Sequence, residues 1–169
     1  MATTYEAIAT VEVTSATAAS MDFTGITADY TDLAIALSVR GTLNSGSGVI
    51  YLEFNGDTTS TNYQYRRLLG DGSAASSASG SSKIIDVLQG DNATANTFGS
   101  EYIYIPNYAG SNYKSASNDF VGENNGTLAY SGLIAYLWNN TAAITSIKLT
   151  GNGSFKQYST ATLYGIKNS

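Results

Sequence analysis

The chain of 169 residues carries 8 basic and 13 acidic side chains, a formal net charge of −5, and charged residues are only 12% of it. Nucleic acid is an unsuitable partner for that balance, because neutralising phosphates needs clustered Lys and Arg and the one adjacent basic pair is Arg66 with Arg67. With neither Cys nor His, disulfides, thiolate chemistry, Ser-His-Asp and Cys-His nucleophile systems and His-based zinc sites are excluded.

The length suits one domain over residues 1–169, with no break in composition. Thirteen Tyr and 17 Gly stand beside a single Pro, and the abundant Thr, Tyr, Val and Ile favour strands, whereas the usual helix formers are scarce. No apolar run approaches the roughly 18 residues of a membrane helix, so no membrane partner is expected. The first residues, MATTYEAIATVEVTS, lack the basic and apolar regions of a signal peptide.

In chain order, Met1–Tyr5 reads as an N-terminal arm and Tyr5–Thr14 as a first strand, with Ala7, Ala9, Val11 and Val13 on one face. Met21–Tyr30 reads as a short strand and a loop around Gly25. Asp32–Arg40 is the clearest strand, since Leu33, Ile35, Leu37 and Val39 alternate with Ala34, Ala36 and Ser38. Ile50, Leu52 and Phe54 repeat that alternation, and the two strands are expected to pair antiparallel. After the turn Asn55-Gly56-Asp57, a strand carries Tyr63 and Tyr65. The stretch 70–82, GDGSAASSASGSS, is too poor in apolar side chains to offset the entropy of ordering it, so a mobile surface loop is expected.

Lys83–Leu88 reads as a short strand, and Thr97–Ile105 as a strand that Pro106 ends. Lys114–Val121 reads as an edge strand. Leu128–Trp138 is apolar on both faces, with Tyr130, Ile134, Tyr136 and Trp138 opposite Leu133, Ala135 and Leu137. Ala142–Lys167 reads as a hairpin reversing at Gly151-Asn152-Gly153. Its last strand has both faces occupied, so it lies in the middle of a sheet or beneath a neighbouring subunit. Nine or ten strands without βαβ rhythm predict an all-β fold, an antiparallel two-sheet β-sandwich of jelly-roll type, with a closed barrel as the alternative.

Paired carboxylates are the one catalytic device left, and Glu53, Asp57, Asp86, Glu101, Asp119 and Glu123 are the acids to supply them. They fall on polar strand faces and in turns, where solvated carboxylates are expected anyway. Asp57, Asp71, Asp91 and Asn92 sit in Gly-rich turns without calcium-loop spacing, and turn chemistry accounts for them. No catalytic, cofactor or metal residue is assigned, and the chain is expected not to be an enzyme. The aromatic side chains carry more information. Tyr63, Tyr65, Tyr102, Tyr104, Tyr130, Tyr136 and Trp138 are large, rigid and amphipathic in a chain poor in charge. Such side chains build protein interfaces or sugar-stacking platforms, or they roof a sandwich core with their hydroxyls at the rim.

Four stretches resemble virion proteins of tailed bacteriophages: Met21–Arg40 with Phe23, Ile26, Tyr30, Asp32-Leu33 and Arg40; Phe54-Asn55-Gly56-Asp57 leading to Asn62-Tyr63; Ile105-Pro106-Asn107-Tyr108; and Ser159 through Ile166. The resemblance is spread over most of the chain and rests on short, turn-rich motifs. It implies a structural protein of the phage particle, with a β-sandwich fold, assembled in the bacterial cytoplasm. As a head decoration or cement subunit it would contact the major capsid protein or other virion proteins as a homo-oligomer, with the arm Met1–Tyr5 as a lattice contact. As a tail-fibre module it would bind a host glycan. The pattern carries over no catalytic residue.

Overall fold

The computed structural model describes residues 4–44, 47–122 and 129–167. The described residues form twelve strands and contain no helix beyond a single 3-10 turn at Ser60–Asn62. The strands are β1 Tyr5–Glu12, β2 Thr17–Thr24, β3 Asp32–Val39, β4 Ile50–Phe54, β5 Tyr63–Gly70 and β6 Ala75–Gly80. They continue with β7 Ile84–Asp86, β8 Gly99–Ile105, β9 Lys114–Gly122, β10 Tyr130–Trp138, β11 Ser146–Lys156 and β12 Thr160–Ile166. One sheet runs β1-β12-β3-β8-β9-β10-β5-β6 and the other β2-β11-β4-β7, with every pairing antiparallel.

This order resolves into two parts. The four-stranded sheet β2-β11-β4-β7 faces β1-β12-β3-β8, and those eight strands have the jelly-roll arrangement of two interleaved Greek keys. The hairpin β5–β6 is inserted between β4 and β7, and the hairpin β9–β10 between β8 and β11. The two hairpins pair with each other through β10 and β5, which extends the larger sheet by a four-stranded wing, β9-β10-β5-β6.

The core lies between the sheets and is aliphatic in the jelly roll. Leu33, Ile35, Ile103, Ile105 and Leu163 from the large sheet meet Met21, Phe23, Ile50, Leu52, Ile147 and Leu149 from the small one. Where the wing joins, the filling becomes aromatic: Phe54, Tyr63, Tyr136 and Trp138 are buried together, with ring centroids 5.5 to 6.4 Å apart. For β3 and β4 the predicted alternation places the core face correctly, because side chains alternate with a period of two. For β1 it does not: the irregularity between Ala7 and Ala9 shifts the phase, so Ile8 and Val11 pack against the core while Ala7 and Ala9 are exposed.

Several expectations are corrected by the pairing. The described residues hold twelve strands where nine or ten were expected, and 70–82 is not simply a loop: it holds β6, laddered to β5 along its length. Backbone hydrogen bonds order this stretch where its Ala and Ser side chains cannot. β9 is interior, between β8 and β10. β3 and β4 do not pair but face each other from opposite sheets. The turn Asn55-Gly56 has both residues at positive φ, 53° and 69°, with Asp57 N donating to Phe54 O at 2.9 Å, yet it carries the chain from one sheet to the other.

The C-terminal hairpin is absent too. β11 runs straight through Gly151-Asn152-Gly153, which form an irregularity against β2, and the reversal comes later at Gln157-Tyr158, with Tyr158 at φ 72°. β12 then crosses into the large sheet between β1 and β3, so of the two expectations for the last strand its place inside a sheet holds. Of the expected arm, residues 1–3 lie outside the described residues, and Tyr5 begins β1.

Candidate functional site

The seven aromatic residues singled out from sequence fall into three environments. Tyr63, Tyr136 and Trp138 are at most 3% exposed and belong to the core, so they are not interface residues of the folded chain. Each polar tip is satisfied internally. The Tyr63 hydroxyl donates to Asp57 O at 2.8 Å and accepts from Phe54 N at 3.1 Å. That of Tyr136 donates to Leu52 O at 2.6 Å, and Trp138 Nε1 donates to Asp57 Oδ2 at 2.8 Å. Burial pushes the Tyr63 and Tyr136 hydroxyls well above the usual tyrosine range. Tyr65 and Tyr130 are half-buried at the margin of the same core.

Only Tyr102 and Tyr104 lie on an outer face, that of β8, and both are half-buried. Tyr102 OH lies 3.1 Å from Tyr5 OH, and the Tyr104 hydroxyl donates to Asp32 Oδ2 at 2.8 Å. Their hydroxyls are raised, for Tyr102 chiefly by burial and for Tyr104 chiefly by its bond to the Asp32 carboxylate.

Glu53 pairs with Lys83, Asp57 accepts from Trp138 and Asn62, Glu101 is buried in the large sheet and Asp119 is exposed on β9. Asp86 lies on β7, and Glu123 falls outside the described residues. The turn acids are engaged locally: Asp71 accepts from the backbone of Ser73 and Ala74, and Asp91 pairs with Lys156. Among the described residues no three acids come together to hold a metal ion.

What the structure does assemble is an apolar surface on the outer face of the wing. Alternation turns Leu133, Ala135 and Leu137 outward from β10, Leu68 from β5 and Val121 from β9. Leu68 is 61% exposed, Leu133 57% and Val121 50%. A trough of about 590 Å³ lies between Leu68, Leu133 and Ala135 and the β6 residues Ser77 and Ser79. It continues past Arg66 to Leu137 and Gln64 at one end, and past Ser131 to Val121 at the other. The wing's outer face has two charged side chains, Arg66 and Asp119.

The outer face of the four-stranded sheet is of the opposite character. It carries Asp22, Lys148 and Glu53, with Lys148 Nζ 4.0 Å from Asp22 Oδ1 and Lys83 paired to Glu53. That sheet therefore carries its charges in pairs, one exposed and one largely buried, whereas the wing presents exposed Leu and Val. A sequence signal for this surface existed in β10, whose two faces are both apolar although a strand with one solvated face should alternate. Leu68 and Val121 gave none, since each is a lone apolar residue on its strand's polar face. No protein-family model, curated protein or solved structure matches the chain.

Proposed function

We propose that the protein is a non-enzymatic structural subunit of a tailed-phage particle, a head decoration or cement protein that docks through the outer face of its wing. The observation that carries the docking surface is the contrast between an ion-paired outer face on the small sheet and a trough of exposed Leu and Val on the large one. Contiguous exposed apolar surface marks an interaction site. Covering each of these half-exposed side chains contributes about 1 kcal/mol. The virion setting rests on the sequence resemblance.

Particles lacking the protein provide the test. Added protein should bind them, and Leu133→Ser with Leu137→Ser should abolish binding without loss of fold. Full binding by the folded double variant overturns the face, and an intact virion that carries none of the protein overturns the setting. Label over the head supports decoration; label confined to the tail moves the protein to a fibre.

One observation favours that second setting, a tail-fibre module that binds a host glycan. A cleft of about 380 Å³ between residues 91–98 and the β11–β12 turn is lined by Phe98, Asn96, Gln157 and Tyr158, with Tyr158 65% exposed. An exposed ring beside amide side chains suits sugar stacking. Trp138, one of the residues expected to form such a platform, is buried.

A further inference from the structure

The two sheets end in four edge strands, and three are guarded against pairing with another chain. β1 carries Glu6 and Glu12 and is broken by an irregularity between Ala7 and Ala9. β2 carries Asp22 and loses register against β11 between Ala18 and Ser20. β7 is three residues long. Charges, bulges and brevity are the devices that blunt a sheet edge. β6 has none of them. Its six residues, Ala-Ser-Ser-Ala-Ser-Gly, hold regular register with β5 from Tyr65↔Gly80 to Gly70↔Ala75, without a charge, a proline or a bulge.

Its composition sharpens the point. Ala, Ser and Gly bury too little to offset the entropy of ordering a strand, so β6 is held by the ladder to one neighbour. A second ladder on its open side would double the hydrogen bonds that order it.

We infer that β6 pairs antiparallel with β6 of a second copy of this chain across a two-fold axis perpendicular to the sheet. The choice of a second copy follows from the edge itself: a two-fold interface must be self-complementary, and a run of small uncharged side chains opposes its own reverse without clash or repulsion. Antiparallel neighbours share a face, so the axis passes through Ser77 or through Ala78. With Ser77 on the axis, Ala75 stands opposite Ser79 and Ser76 opposite Ala78; with Ala78, Ser77 stands opposite Ser79 and Ser76 opposite Gly80. Both registers join the two eight-stranded sheets into one and put both wing troughs on the same side. Because one edge is open and three are guarded, the assembly closes at two copies and does not grow into a filament.

Mass in solution is the measurement, and it is independent of particle binding, so this inference and the docking face can fail separately. Sedimentation equilibrium should give twice the 17.7 kDa chain mass. Ser77→Lys with Ser79→Lys places like charges opposite each other in either register, on side chains that are exposed in the single chain. That variant should keep the strand spectrum and melting temperature of the lone chain and sediment at 17.7 kDa. The inference is overturned by a wild-type chain that stays monomeric up to its solubility limit. It is equally overturned by a folded double-lysine variant that keeps the doubled mass, which would put the contact elsewhere. Should that variant fail to fold, Ser77→Cys and Ala78→Cys decide. In a chain without native cysteine, one of the two must form an intermolecular disulfide under mild oxidation, and failure of both overturns the pairing.

Discussion

Asp57 shows how one side chain ties the added strands to the jelly roll. It follows the turn after β4, and its carboxylate accepts from Trp138 Nε1 and Asn62 Nδ2, both at 2.8 Å, and from Thr59 N at 3.0 Å. Burial pushes its pKa up, but hydrogen bonds from Trp138, Asn62 and Thr59 together outweigh that, and the group is held below the usual 3.8. A depressed folded-state pKa stabilises the fold above the unfolded value, and that contribution is lost as pH falls below 3.8 through the folded value. Asp57→Asn, which loses one acceptor, should therefore cost about 1 to 2 kcal/mol at neutral pH. Its deficit relative to wild type should shrink below pH 4. Asp71 and Asp91 are also depressed, by backbone amides and by Lys156 respectively, so the readout is the difference between variant and wild type in denaturant melts. A deficit that does not change with pH would show that the carboxylate charge is not what holds Trp138.

Among the strands, β10 states the division between core and surface most clearly, because neighbouring residues on it have opposite roles. Trp138 is 1% exposed and stacked on Tyr63, whereas Leu137 is 36% exposed on the other face. Trp138→Ala should cost about 3 to 5 kcal/mol, while Leu133→Ser with Leu137→Ser should change stability by no more than about 0.5 kcal/mol per site. Chemical denaturation of the two variants checks this, and a large loss in the double-serine variant would show that the leucines support the fold. The same strand shows what sequence can and cannot settle. Period-two alternation located β3, β4 and β10, and for β3 and β4 also their core faces, because the side-chain direction is fixed by the backbone. It left open which of two apolar faces points inward. The tyrosines were harder still: an amphipathic ring satisfies a core with its hydroxyl bonded to a carbonyl, as Tyr63 and Tyr136 do, as readily as it satisfies a surface. β6 was hidden for another reason, since its order comes from backbone pairing and leaves no side-chain pattern. Gly151-Asn152-Gly153 was misleading because the residues that favour a tight turn also permit a bulge.

For the molecule as a whole, the question is whether wing and jelly roll are separate folding units. Their junction is the aromatic cluster of Phe54, Tyr63, Tyr136 and Trp138, buried and cross-bonded through Asp57. Such a junction couples them, so unfolding should be a single transition. Trp138 is the only tryptophan. Its fluorescence reports the junction, while far-ultraviolet dichroism reports all twelve strands, and the two curves should coincide. Separated midpoints would mean that the wing melts on its own, and its trough and open edge would then belong to a detachable element. The pairing of the first strand with the last also makes the topology strongly non-local, which is why strand-to-strand partners, unlike strand positions, were not legible from local sequence. β3 and β4 alternate alike and adjoin in sequence, and only the wrapping of the chain assigns them to different sheets.

That first-to-last pairing has a practical side. Lys167 N donates to Thr4 O at 3.0 Å, so the first and last described residues lie side by side, on the edge of the large sheet farthest from β6. Seven strand spacings of roughly 4.8 Å put about 34 Å between that spot and β6. The domain is thereby laid out like a plug: it could be spliced into a loop of a carrier protein, or fused to cargo at both ends, with trough and open edge left clear on the far side.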